Sequence, residues 1–127
     1  MQKIKFSGIV ITGKGEGRAF INLDWVRNQI QDKLNFIAYP GTLNLLIKQG
    51  KKIKSLLKKS QYVTIAPENG FCEGIVIPAL INSQKCAIII PKVKEYLKNT
   101  IEIISSINLR DKLMLKNGDE VTVTFFI

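Results

Sequence analysis

The chain has 127 residues, enough to bury a sizeable core but too few for two domains, so residues 1–127 are read as a single domain. A hydrophobic content of 46% is that of a globular protein. No apolar run approaches a membrane span and Met1-Gln2-Lys3-Ile4-Lys5 lacks a signal-peptide core, so a soluble cytoplasmic protein is expected. The formal charge of +9, mostly lysine, favours anionic partners, while the absence of histidine excludes imidazole acid–base catalysis and most zinc sites.

Most of the chain reads as short β-branched segments between turns. Lys3 to Thr12 is a strand interrupted at Gly8, and Arg18 to Leu23 alternates as a second strand. Asp24 is placed as the N-cap of a helix over Trp25 to Leu34, with Val26, Ile30 and Leu34 on one face. Thr42 to Ile47 is a strand. It is followed by an amphipathic helix in which Lys48, Lys51, Lys52, Lys54, Lys58 and Lys59 surround Ile53, Leu56 and Leu57. Further strands run over Tyr62 to Ala66, Gly74 to Ile81 and Gln84 to Ile90, the last two joined by a turn at Asn82-Ser83. Thr100 to Ile104 is a strand, Leu109 to Leu113 a helical turn, Lys116 to Glu120 a tight turn, and Val121 to Ile127 the closing strand. Many short strands with few helices predict a mainly β (α+β) closed or semi-closed barrel.

Two segments carry chemistry. Gly13-Lys14-Gly15-Glu16-Gly17-Arg18 spaces three glycines at alternate positions, so that backbone N–H groups can approach a phosphate, and ends in an arginine that can clasp the same anion. Tyr39-Pro40-Gly41-Thr42-Leu43-Asn44 sets a hydroxyl and a carboxamide two residues apart, on one face of an extended chain. These are hard oxygen ligands of the kind magnesium takes when a nucleotide brings most of the charge. Together they point to a magnesium–nucleotide site. Neither segment is a Walker loop or a dinucleotide fingerprint, since no Gly-Lys-Ser/Thr follows and the residues after Arg18 read as a strand. The plainer alternatives are a bend between strands for the glycines and solvated side chains for Thr42 and Asn44.

The lysine-rich helix offers a second possibility, polyanion binding through counterion release, against which stands an ordinary solvated face with only Tyr62 nearby for stacking. Cys72 and Cys86 are isolated in apolar surroundings and are expected as free thiols.

The order and spacing of these segments, with Ile101-Glu102-Ile103-Ile104, Asn108-Leu109-Arg110 and Leu115-Lys116-Asn117-Gly118-Asp119, resemble the archaeal CTP-dependent riboflavin kinases over nearly the whole chain. The resemblance implies a single-domain cradle-loop β-barrel with short helices that moves the γ-phosphoryl group of CTP to riboflavin, giving FMN and CDP. It implies that Gly13, Lys14, Gly15, Glu16, Gly17 and Arg18 hold the phosphates, Arg18 also serving catalysis. Ile107, Asn108, Leu109 and Arg110 would contact the cytidine nucleotide, and Thr42 and Asn44 would ligate magnesium or manganese. Glu102 would contact the flavin and is a secondary candidate for accepting the attacking hydroxyl's proton. After Pro91-Lys92 the family usually carries a flavin-contacting threonine and an aromatic residue or histidine, where this chain has Lys94 and Glu95. That departure keeps open a relative that binds nucleotide or flavin without catalysis, and the lysine helix keeps open a nucleic-acid-binding barrel. Membrane association is not expected.

Overall fold

Residues alternate along the strands between an apolar interior and an outer face that is itself apolar over β4, β5 and β6, and this alternation organises the molecule. The computed structural model describes residues 1–13, 15–68, 73–92 and 99–127, and the side chain of Glu16 is also not described. Seven strands, β1 (Lys3–Ile11), β2 (Leu43–Ile47), β3 (Val63–Ile65), β4 (Gly74–Ile81), β5 (Gln84–Pro91), β6 (Thr100–Ile104) and β7 (Glu120–Phe126), form one antiparallel sheet in the order β3-β4-β5-β6-β2-β1-β7. Leu80 and Ile81 of β4 pair with Thr124 and Val123 of β7, so six strands close into a ring. β3 extends the N-terminal half of the same β4 edge, through Val63↔Val76 and Ile65↔Gly74.

The interior of the ring is filled by one residue in two from every strand: Phe6 and Val10, Leu43 and Leu45, Ile75 and Ile77, Ile88, Ile101 and Ile103, Val123 and Phe125. Phe6 meets Phe125 edge-on at 5.9 Å between centroids. β1 runs through Gly8 without the interruption its sequence suggests. Gly8 faces inward against Leu45 and Ile47, where a Cβ would lie 2.9 Å from that of Leu45. Its lack of a side chain lets β1 and β2 close.

The outer face of β4, β5 and β6 is covered by α1 (Glu16–Ile21) and α2 (Asp24–Leu34), around Phe20, Ile21, Val26, Ile30, Val76, Ile89 and Ile104. This corrects two expectations. Residues 18–21 are helical, and Asn22 and Leu23 make the turn into α2, where a strand over Arg18 to Leu23 was expected: Gly17, Phe20 and Ile21 share the three- and four-residue spacing of a helix face, and all three are buried. Asp24 is the first residue of α2, and Leu23 holds the cap position without a side-chain hydrogen bond. The Asp24 carboxylate still suits the positive end of the helix. Gln29 ties α2 to the chain after β3 by a two-way contact with the Ala66 backbone, at 2.8 and 3.1 Å.

The lysine-rich helix is α3 (Gly50–Leu57), which buries Ile53 and Leu57 in the interior cluster and leaves Lys51, Lys52, Lys58 and Lys59 outside. A short α4 (Leu109–Lys112) precedes β7. Asn82 and Ser83, both at positive φ, make the β4–β5 hairpin turn as expected. Cys86 is a free buried thiol; Cys72 lies outside the described residues. Among the described residues no helix is long and apolar enough to cross a membrane.

Candidate functional site

The outward-facing row of the sheet becomes polar at one place. Asn44 of β2 stands opposite Ile11 of β1 on one side and Glu102 of β6 on the other, and Glu102 stands opposite Ile89. Over this row the chain leaving β1 turns back at Gly13 and Gly15, and enters α1 at Glu16. Gly15 has φ 84°, the left-handed region that glycine takes freely. Gly13 and Gly17 are glycines for a different reason, which is contact. A Cβ on Gly13 would collide with the Asn44 carboxamide, and one on Gly17 with the Glu102 carboxylate.

Glu102 is fully buried, and its side chain organises what surrounds it. One carboxylate oxygen accepts from the Gly17 N–H at 2.5 Å, and the other accepts from the Thr42 hydroxyl at 3.1 Å. Asn44 Nδ2 lies 3.4 Å from Thr42 Oγ1, and Asn44 Oδ1 is buried with no hydrogen-bond partner among the described residues. A buried acceptor left unsatisfied costs roughly 1–3 kcal/mol, and Asn44 Oδ1 carries that cost beside the Gly13 backbone.

Thr42 and Asn44 open onto a cleft of about 470 Å³. Gly13, Gly15 and the exposed Arg18 form one wall, and Ile107, Asn108, Leu109 and Arg110 form the other. Residues that are far apart in the chain thus line one space. Glu102 lies directly behind Thr42, and Gly17 is buried against it. Lys14 and Lys94 fall outside the described residues, and Glu16 is placed at the start of α1 without a described side chain. The lysine face begins at the other end of β2 from Thr42, beyond Ile47, and does not line the cleft.

The second wall is held by its own hydrogen bonds. Asn108 caps α4, its Oδ1 accepting from Asp111 N at 3.2 Å, and its Nδ2 donates to the Tyr39 hydroxyl at 3.1 Å. Tyr39 N donates to Ser105 O at 2.8 Å, fixing the turn before Thr42 to the end of β6. The Arg110 guanidinium donates to Asn117 Oδ1 at 3.0 Å and to Ile11 O at 3.4 Å, and Asn117 Nδ2 donates to Thr12 Oγ1 at 3.0 Å.

Over residues 10–125 the chain matches the family model named for CTP-dependent riboflavin kinases, described as Domain of unknown function DUF120. The chain belongs to this family. Similar proteins include the riboflavin kinases of Ignicoccus hospitalis (36% identical over 128 residues, 97% of this chain and 72% of that protein), Archaeoglobus fulgidus (40% over 125 residues, 94% and 54%) and Methanocella arvoryzae (43% over 121 residues, 92% and 55%). The chain spans about half the length of most of the riboflavin kinases first among its relatives, and about three-quarters of others.

The sequence does not mark as site residues Tyr39 and Thr12, which line the cleft, or Asn117, which holds the lining residue Arg110. Tyr39 belongs to the Tyr39–Asn44 motif, and its aromatic ring is a usable signal. Asn117 belongs to the Leu115–Asp119 segment, but its contact with Thr12 cannot be read from the sequence, because it joins residues 105 positions apart.

Proposed function

We propose that this chain transfers the γ-phosphoryl group of CTP to the 5′-hydroxyl of riboflavin in the cytoplasm, giving FMN and CDP. The observation that carries this reading is the convergence of the glycine loop, the Thr42/Asn44 pair and the Ile107–Arg110 segment on one cleft. Phosphoryl transfer asks little covalent chemistry of the protein and much positioning and charge neutralisation. The loop amides and Arg18 supply donors and positive charge for the phosphates, with Arg110 on the facing wall.

A divalent cation fits the residues present. Thr42 Oγ1 donates its hydrogen bond to Glu102 and accepts a long one from Asn44 Nδ2, which leaves one lone pair for a further ligand, and Asn44 Oδ1 is a buried acceptor without a partner among the described residues. These two oxygens would hold magnesium, or manganese in its place, and the bound ion would offset the charge of the nucleotide phosphates. Glu102 fixes Thr42 and Gly17, and the contact to riboflavin that the family resemblance implies would come from the same carboxylate. Lys94 stands in the sequence where the family usually has a flavin-contacting threonine, and it lies outside the described residues.

The donor in this reading is a pyrimidine nucleotide, supported by the name of the family model and with Ile107, Asn108, Leu109 and Arg110 on the base side of the cleft. The Asn108 amide is committed at both ends, to Asp111 N and the Tyr39 hydroxyl, so it shapes the wall and sets the ring of Tyr39. Sites built around fixed hydrogen-bonding groups reject a base that leaves them unpaired. The test is to mix the purified protein with riboflavin and magnesium and either CTP or ATP, and to follow FMN by chromatography. CTP is expected to support FMN formation far better than ATP, with Asn108→Ala narrowing the gap. No FMN with either nucleotide would defeat the kinase reading, and equal use of both would defeat the donor assignment.

A further inference from the structure

The turn at Lys116–Asp119 has the look of generic loop chemistry, an Asn-Gly-Asp sequence that any barrel could use between a helix and a strand. Its backbone is indeed a self-sufficient turn. Gly118 takes φ 95°, Lys116 N donates to Asp119 Oδ2 at 2.8 Å, and Gly118 N and Asp119 O pair with Val10 O and Val10 N at 2.8 Å each. None of these contacts uses the Asn117 side chain. That side chain reaches away from its own turn, and both ends of its amide are engaged at the cleft. Oδ1 accepts from Arg110 Nη1 at 3.0 Å, and Nδ2 donates to Thr12 Oγ1 at 3.0 Å. Thr12, Arg110 and Ile11 all line the cleft, and Ile11 O takes the other guanidinium nitrogen at 3.4 Å.

We infer that Asn117 is a positioning residue for nucleotide binding, which sets the Arg110 guanidinium and the first residues of the glycine loop against one another across the cleft. The inference rests on the nucleotide reading of the cleft given above and adds a residue to it. The physical reason is the length and freedom of the arginine side chain. Fixing a rotamer-rich side chain at the moment of binding costs affinity, and a pre-formed contact removes that cost beforehand. A neutral amide suits the task better than a carboxylate, since it orients the guanidinium without adding negative charge beside the phosphates. Its opposite end holds the Thr12 hydroxyl, so one side chain sets the spacing between Arg110 and the start of the loop.

The experiment is a double-mutant cycle on CDP and riboflavin binding by calorimetry, using the wild-type chain, Asn117→Ala, Arg110→Ala and the double variant, with melting temperatures for each. If Asn117 acts through Arg110, Asn117→Ala weakens CDP binding about tenfold. In the Arg110→Ala background the same change adds about twofold or less. Riboflavin affinity and the melting temperature stay near wild type, because the turn's own backbone contacts survive. Unchanged CDP affinity in Asn117→Ala, additive losses in the double variant, or an equal loss of riboflavin affinity would each overturn the inference. If the wild-type chain does not bind CDP at all, the nucleotide reading of the cleft falls first and the role of Asn117 with it, an outcome distinct from the other three.

Discussion

Leu43, Leu45, Ile101 and Ile103 turn into the ring, while Asn44 and Glu102, one residue away on the same two strands, turn out beneath the glycine loop. The inner row is close-packed hydrocarbon whose loss is a loss of stability. The outer row contains a fully buried carboxylate and a buried amide oxygen with no partner among the described residues, an arrangement no core would choose for stability alone. Because the side-chain period of a strand is two, the rigidity of the first row is passed directly to the second. A site on adjacent strands can then hold Asn44 and Glu102 on a rigid base, to which Thr42 and Gly17 from outside the strands are tied. The contrast predicts that inner-row changes cost folding free energy and spare nothing, whereas outer-row changes cost function and leave the fold.

The largest effect belongs to the inner row. Phe125, fully buried and in edge contact with Phe6, should cost about 3–5 kcal/mol when replaced by alanine, from lost transfer energy and the cavity left behind. A urea titration of Phe125→Ala measures it. A loss under about 1 kcal/mol would mean that the ring collapses around the gap and that the inner row is less rigid than the contrast requires.

The outer row should behave in the opposite sense. A Thr42→Ala, Asn44→Ala double variant should lose FMN production by roughly a hundredfold or more, since the proposed metal loses both protein ligands. Its thermal midpoint should change little, because removing Asn44 Oδ1 relieves an unsatisfied buried acceptor while removing the Thr42 hydroxyl takes one hydrogen bond from Glu102. Wild-type turnover at low magnesium in this variant would remove the metal assignment. A large fall in the midpoint would show that the outer row is structural after all.

Much of this contrast was legible from the residues alone. β-Branched runs with period two gave the strands over 74–81 and 100–104 at their observed limits, and the lysine spacing gave α3. The helix α1 was not legible as one, because six residues are too short a window for a 3.6-residue period to outweigh an apparent alternation. Thr42 and Asn44 could be paired by their spacing. Their grouping with Glu102 could not, since it depends on the β2–β6 register and on a contact between residues 85 apart, Gly17 and Glu102. The same holds for Arg110 and Asn117, whose partners are set by where two loops meet.

Gly17→Ala sharpens the boundary between the rows with a single methyl. The added Cβ would collide with the Glu102 carboxylate, so the amide–carboxylate bond must break or the loop must move. A charge-assisted bond of this kind is worth roughly 1.5–3 kcal/mol, so nucleotide affinity or turnover should fall about tenfold. Arg18→Ala should produce a loss of similar size through the phosphates while leaving the Gly17–Glu102 contact intact. If Gly17→Ala binds CDP as the wild type does, the close approach of loop and carboxylate has no part in nucleotide binding.

The smallest effect returns to the interior. Burial pushes the Cys86 thiol up from 9.0 to about 12, because the thiolate would lose its hydration among Ala79, Ile88 and their neighbours. In the unfolded chain the thiol ionises near its ordinary value, so above about pH 9 the unfolded state binds fewer protons than the folded one. The stability contributed by this group is therefore fully present below that pH and is lost as the pH rises towards 12. Within the window the slope is about 1.4 kcal/mol per pH unit. Every other ionisable group is common to the wild type and Cys86→Ala, so the difference between the two isolates the thiol. Urea midpoints at about pH 8 and about pH 10 should show the wild type losing roughly 1 kcal/mol more than Cys86→Ala between them. A difference independent of pH would mean that water reaches the sulfur, and that the interior of the ring is open at the β4–β5 hairpin where the inner row is expected to be dry.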